Sequence, residues 1–309
     1  MRLLIRFQRF LICCAALTAA LSAASGFARG GVVDETPALP QEIRHIPSYG
    51  SQSLDAFYLD LISLILDAGS DKFGPYKLNT DSRPMSVARA RKGLLENEWD
   101  SLVNSDLSNQ FHGTDQIAVF SRPYLKHMIG LRQSIIDSRN LAQLSQIRSL
   151  DELKQFKIGQ GSNWTEVEIY RAADVNVVTS ESFGNLFRML TSGRFQLLPL
   201  SVLEVDGALA NASTTQPTLT ILPDIYIYYP LPVQIVVSRN NPLIAARYQY
   251  GIEQIFSDGS LTKLLQKHFP KQLANPIPKE ATIIILPNPK LSEAENAAII
   301  QTFRNTTTY

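Results

Sequence analysis

Residues 157–164 read Lys-Ile-Gly-Gln-Gly-Ser-Asn-Trp. A short apolar strand runs into two glycines, then into small polar residues, an aromatic ring and a helical stretch from about Thr165 to Ala173. Backbone N–H groups at a helix start are unpaired and carry partial positive charge. Gly159 and Gly161 let an anion or polar group come close to the backbone. Gly161, Ser162, Asn163 and Trp164 are therefore candidate binding residues, with the indole as a stacking surface. The same run also fits an ordinary strand–turn–helix junction that binds nothing.

No catalytic set is visible beside this turn. His45, His112, His127 and His268 are scattered, and no pair has metal-ligand spacing, so no metal is expected. The chain has no Gly-x-Ser-x-Gly, no P-loop and no His-Glu-x-x-His. Gly159-x-Gly161-x-x-Trp164 lacks the third glycine of the dinucleotide fingerprint. We expect no cofactor and no enzyme activity.

The first 28 residues have the pattern of a secretory signal. Arg2, Arg6 and Arg9 form a basic region, Phe10 to Leu21 an apolar core, and Ser22 to Ala28 a run with small residues. The apolar run is shorter than the ~20 residues of a membrane span. Ile12 and Cys13 precede the two cysteines, which is unlike a lipoprotein site. Cleavage after Gly26 or Ala28 removes both cysteines and three arginines. The mature chain of about 280 residues then carries 26 basic and 28 acidic side chains. That balance argues against a nucleic-acid partner, and the cysteine-free chain excludes thiol chemistry. A periplasmic location and a monomer are expected.

Strand and helix signals alternate after a Gly- and Pro-rich lead-in at 29–41. Ile43–Pro47, Trp99–Val103, Gln116–Phe120, 155–159, 175–178, 196–199, 219–222, 225–229 and Val233–Val237 read as strands. Leu54, Phe57, Tyr58, Leu61, Ile62 and Ile65 recur at helical spacing, with Gly69 beyond the end. Helices are also expected from Pro84 to Leu95, Ser182 to Thr191, Pro242 to Phe256 and Ser260 to His268, and a surface loop from Ala210 to Pro217. The alternation predicts an α/β fold with mostly parallel sheets, whose ligands bind beyond the carboxyl ends of the strands.

Phe120-Ser121-Arg122-Pro123-Tyr124 resembles the Phe-Ser-x-Pro-Tyr signature of bacterial extracellular solute-binding proteins of family 3. In order, 149–154 with Lys157-Ile158-Gly159 is similar to that family's Asp-Leu-Lys-Gly-Lys and following strand, and 190–194 to its Leu-x-x-Gly-Arg. Val233–Val237, Asn241-Pro242-Leu243 and 257–260 resemble its C-terminal return. The likeness covers roughly 42–270. It implies a two-lobed type II periplasmic-binding-protein-like fold with two hinge crossings, near Tyr124–Leu131 and Tyr229–Pro232. Lobe 1 would take 42–127 and 232–290, lobe 2 would take 128–231, and 291–309 would be a tail.

The resemblance implies further site residues. Tyr49 follows the first strand, where the family carries an aromatic ring; it can stack on a ligand or be a plain loop tyrosine. Trp99 fits a cleft wall or the core. Tyr124 is expected in the cleft at the first crossing. Arg132, just past it, can hold a carboxylate bidentately or be a solvated surface arginine. Glu204 opens a helix in a cleft-facing place, or is simply a helix-terminus acid. The family's amino-acid clamp, however, needs an arginine in lobe 1 and an aspartate after the Gly-Arg strand. Ser105–Gln110 holds no arginine, and neither Gln196 nor Ser201 is a carboxylate. The function implied is capture of a small polar or aromatic solute between the lobes for an inner-membrane transporter or sensor. The alternative is a non-transport exported module, enzymatic or structural, on the same fold.

Overall fold

The computed structural model describes residues 39–46, 52–81, 87–104, 114–274 and 277–307. The chain begins with β1 (Gln41–Ile46), α1 (Gln52–Asp67), α2 (Ser70–Phe73), β2 (Tyr76–Thr80), α3 (Val87–Leu95), β3 (Ser101–Asn104) and β4 (Ile117–Arg122). It continues with β5 (Leu131–Asp137), α4 (Leu141–Leu144), α5 (Leu150–Leu153), β6 (Lys157–Gly161), α6 (Glu166–Ala172), β7 (Asn176–Ser180), α7 (Phe183–Thr191), β8 (Leu198–Ser201) and α8 (Val205–Ser213). The last part holds β9 (Leu219–Tyr228), β10 (Val233–Ser238), α9 (Pro242–Ser257), α10 (Ser260–His268), α11 (Pro270–Ala274), β11 (Thr282–Ile285) and α12 (Glu293–Thr307).

The local chemistry explains the helices that matter most. The apolar stripe of α1 is buried along its whole length, from Leu54 to Leu66. Its last carbonyls would be orphaned, and a buried arginine meets one of them: Arg247 donates to the Leu66 carbonyl from Nε at 3.1 Å and Nη2 at 2.9 Å. α9 starts on an Asn241 cap, whose side chain accepts from the Ile244 N–H, with Pro242 in the first turn. Gly251 of α9 meets the Ile65 carbonyl so closely that no Cβ fits between the two helices.

The strands form two main sheets, ordered β2-β1-β3-β10-β4 and β11-β9-β5-β8, with a separate β6-β7 pair. The β6-β7 pair touches the second sheet where Ile158 bridges Leu197. The α/β class is as expected, but the pairing is mixed. β5 and β10 run antiparallel to both of their neighbours, while the β1-β2, β1-β3, β6-β7 and β11-β9 pairs are parallel. Those two strands are the ones that follow the crossings, so the reversal comes from the chain changing sheets. The strands expected at 219–222 and 225–229 are one continuous β9, kinked where Asp224 takes φ 57°. The loop expected from Ala210 is helical to Ser213 in α8.

Two crossings join the sheets, at 123–130 and 229–232. They are bonded to each other: the Tyr229 N–H donates to the Gly130 carbonyl at 3.2 Å, and Leu131 pairs with Tyr228. The structure adds a third passage. β11 leaves the helices that follow β10 and pairs in parallel with β9, from Thr282–Ile225 to Ile285–Tyr228. Residues 282–285 therefore lie in the second sheet, not with the first as expected for 232–290. The chain beyond them is an ordered helix instead of a tail. α12 opens on a capping box, with the Glu295 carboxylate accepting from the Ser292 N–H and hydroxyl. Its Phe303 stacks on Tyr228 at 3.6 Å and 9°. Buried Asn288 ties the approach to α12 down, donating to the Pro230 carbonyl at 2.9 Å.

Candidate functional site: a buried polar cluster at the sheet junction

The glycine turn is built differently from the expectation. A Cβ on Gly159 would enter the Phe195 ring, and one on Gly161 would meet the Trp164 indole at 2.5 Å. Both glycines thus make room for side chains of this chain. The Ser162 N–H donates to the Ser180 carbonyl, and the Trp164 N–H to the Gly161 carbonyl. Asn163 is exposed. Trp164 is half-buried against the cluster of Leu186, Phe187 and Leu190, with its ring 5.9 Å from that of Phe183. The indole that was to face a ligand lies over its own turn.

Two other candidates belong to the core. Trp99 packs on Gly93 of α3 beside Leu94 and Ile46. Tyr124 is fully buried; its hydroxyl donates to the Phe120 carbonyl at 3.2 Å and its ring meets Phe256 edge-on at 5.6 Å. At the first crossing an aromatic residue fills the space under the turn, where packing needs it. Tyr49 and the stretch Ser105–Gln110 lie outside the described residues. Gln196 and Ser201 are both occupied: Gln196 Oε1 accepts from the Lys157 N–H, and the Ser201 hydroxyl donates to the Met128 carbonyl.

The structure brings Arg132 and Glu204 into one place, with residues the sequence did not single out. Arg132, on β5, is 4 % exposed, not solvated. Its Nη2 donates to Glu166 Oε1 at 2.7 Å, in a pair whose side chains are 5 % and 13 % exposed. Its guanidinium lies 5.1 Å from the centre of the Tyr229 ring. Tyr229 meets Tyr170 of α6 edge-on at 5.8 Å and 89°. From α1, Tyr58 lies within electrostatic reach of Glu204, Asp55 and Arg132.

These groups are polar, enclosed and short of partners. Asp55 Oδ1, Arg132 Nε and the Tyr58 hydroxyl are buried with no hydrogen-bond partner among the described residues, and the buried Tyr170 and Tyr229 hydroxyls have only each other. A buried, unpaired polar atom costs about 1–3 kcal/mol, so several in one cluster need a reason. Burial also sets their ionisation. It raises the phenols of Tyr58, Tyr170 and Tyr229 and keeps them neutral. It raises the Asp55 carboxyl as well. Burial works against the charge on Arg132, but the Glu166 and Glu204 carboxylates help to hold the guanidinium protonated. The cluster carries three carboxyl groups against one guanidinium, together with three phenol donors. It can therefore accept several hydrogen bonds from a polar, amine-bearing molecule and donate others to it. Among the described residues, no group of three or more His, Cys, Asp or Glu side chains is placed to hold a metal ion.

Tyr58, Tyr170 and Tyr229 were hidden in the sequence because each sits in an apolar pattern. Tyr58 falls on the α1 stripe and reads as one more core ring. The signal that could have found it is Asp55, one helical turn earlier on a half-buried face.

No family model matches the sequence, and neither does any curated protein sequence. Solved structures do resemble the fold. An ancestral arginine-binding protein bound to arginine is 19 % identical over 74 % of this chain and 98 % of its own, with a TM-score of 0.48. A Salmonella typhimurium periplasmic binding protein with high arginine specificity is 16 % identical over 74 % and 98 %, with a TM-score of 0.48. An ancestral amino acid-binding protein, a precursor of cyclohexadienyl dehydratase, is 15 % identical over 74 % and 95 %, with a TM-score of 0.49.

Proposed function

We propose that this chain is an exported solute-binding protein that holds a small polar solute at the junction of its two sheets. The observation that carries this reading is the cluster itself: three buried polar atoms lack partners, and two buried phenols have only each other, around one Arg132–Glu166 pair. α1 and its Asp55 and Tyr58 come from the first half of the fold, and Arg132, Glu166, Tyr170 and Glu204 from the second. A solute bridging them would be gripped from both halves, and closure about 123–130 and 229–232 would enclose it. The excess of carboxyl groups favours a solute with an amine or several hydroxyls. Export through the N-terminal signal, and delivery to an inner-membrane transporter or sensor, complete the proposal. Among the described residues no helix is long and apolar enough to cross a membrane.

The test is a thermal-shift screen of the mature chain against amines, amino acids, organic acids, sugars and short peptides, with calorimetry on every hit. A true ligand at 100 times its Kd stabilises by about 2.7 kcal/mol. Tyr58→Phe and Glu204→Gln should each weaken binding about tenfold while leaving the unliganded melting temperature within a few degrees. Hits indifferent to both variants would refute the site. Turnover of a hit would assign the chain to the enzyme alternative instead. Small-angle scattering should show compaction at saturation, and unchanged dimensions would remove the closure.

A further inference from the structure

A half-open space lies beside the crossings, away from the Arg132 cluster. It is a cavity of about 530 Å³ bounded by both crossings and by α12. Ligand pockets range over about 300–1,000 Å³. Tyr228 ends β9 and Tyr229 opens the second crossing. Tyr229 faces the Arg132 cluster; Tyr228 lines the cavity, and none of the cluster's residues does. The walls are apolar where the crossings and α12 approach, at Ile129, Leu231, Pro232 and Ile299. The charged lining residues are Arg122, Lys126 and Lys290 against one carboxylate, Glu295. That carboxylate is already held by Ser292 at 2.8 and 2.7 Å. Lys290 is 3.7 Å from Glu168, while Lys126 stands exposed on a turn with φ 52°. Beside it His127 is held neutral by burial and by Lys126, and its ring and that of Tyr228 form an aromatic wall backed by Phe303.

We propose that this cavity is a second binding site, for a small organic anion whose apolar or aromatic body lies between the crossings and α12 and whose carboxylate or sulfonate meets Lys126 and Arg122. An apolar wall with a cationic rim discriminates in both respects. A free inorganic anion gains nothing from the wall, and a neutral hydrocarbon gains nothing from Lys126 and Arg122.

Calorimetry of the mature chain with 1-naphthylacetate as the probe, against its neutral analogue 1-naphthylacetamide, tests the assignment. Saturable binding of the carboxylate is expected, with the amide at least tenfold weaker. Lys126→Glu should weaken the carboxylate about tenfold or more. Ala298→Trp, on an exposed helix position that lines the cavity, should fill it and abolish binding. Should Ala298→Trp not melt cooperatively, Lys126→Glu decides the question. Tyr58→Phe, which alters only the sheet-junction cluster, should leave the affinity unchanged. The proposal is overturned if the probe shows no saturable heat, if the amide binds as well as the acid, if folded Ala298→Trp binds normally, or if Tyr58→Phe abolishes binding, which would move the probe to the junction.

Discussion

At the scale of single residues, enclosure governs the chemistry. Arg132 and Glu166 are an ion pair removed from water, and such pairs are costly to break from one side. Glu166→Gln should destabilise the fold by about 3 kcal/mol, because it leaves a buried guanidinium under-compensated. Chemical denaturation would show it, and a loss below about 0.5 kcal/mol would mean that Glu204 alone suffices. His45 supplies a pH dependence of its own. It is fully buried, its Nδ1 lies 2.8 Å from the Ser101 hydroxyl, and burial pushes its pKa down to about 3. The unfolded imidazole takes a proton near pH 6.5, but the folded one does not until much lower. Its contribution is therefore complete above about pH 6.5 and is lost as pH falls toward 3, by up to about 1.4 kcal/mol per unit. His45→Asn should flatten denaturation free energies between pH 6 and 4; an unchanged slope would place the effect on other groups. These residues were the least legible from sequence. A histidine in a strand and a tyrosine in an apolar stripe show no mark of their burial, and an arginine reads as surface until a carboxylate is folded against it.

At the scale of elements, legibility was much better. Periodicity and capping residues placed α1, α9 and α10 within a few residues, since an apolar stripe, an Asn-Pro start and a glycine stop are local signals. β2 and α12 were not anticipated. β2 is a short edge strand whose one polar side-chain tie to β1 among the described residues is the exposed Lys77–Glu42 pair, and α12 is a weakly amphipathic helix held mainly by Phe303 and Asn296. The two glycines at 159 and 161 have a reason that the sequence reading did not give, because a missing Cβ serves a neighbouring ring as well as a ligand. Gly130 shows the same logic at the crossing. Its missing Cβ is what lets the backbones of 130 and 229 touch. Gly130→Ala should cost about 2–3 kcal/mol, by forcing the crossings apart, and thermal melts would reveal it. A neutral substitution would mean that the crossing backbone is free to shift.

At the scale of the whole molecule, three passages of chain link the sheets, and the last ends in a strand and helix fixed to the second. β11 pairs with β9, Asn288 holds the Pro230 carbonyl, and Phe303 covers Tyr228. Any opening about the crossings must carry this assembly along or slide past it. Removing residues 288–307 should therefore increase the change in radius of gyration between free and ligand-saturated protein, if the chain still folds cooperatively. An identical change would show that α12 rides with the second sheet throughout.

The position of β10 has a consequence for when this chain can fold. It lies between β3 and β4, pairing Gln234 with both Asn104 and Ser121. An interior strand of the first sheet is thus made more than a hundred residues after its neighbours. Until it arrives, β3 and β4 have no partner between them, and pairings of this sequence separation form slowly. In the export proposed above, a nascent chain would therefore stay open until much of its C-terminal third was synthesised. A fragment ending at Leu231 should be digested rapidly by protease and show no cooperative melt, whereas the chain through Thr307 resists. In that proposal the late strand would act as a timer, keeping the polypeptide loose during passage through a narrow opening and locking it once the passage is nearly complete.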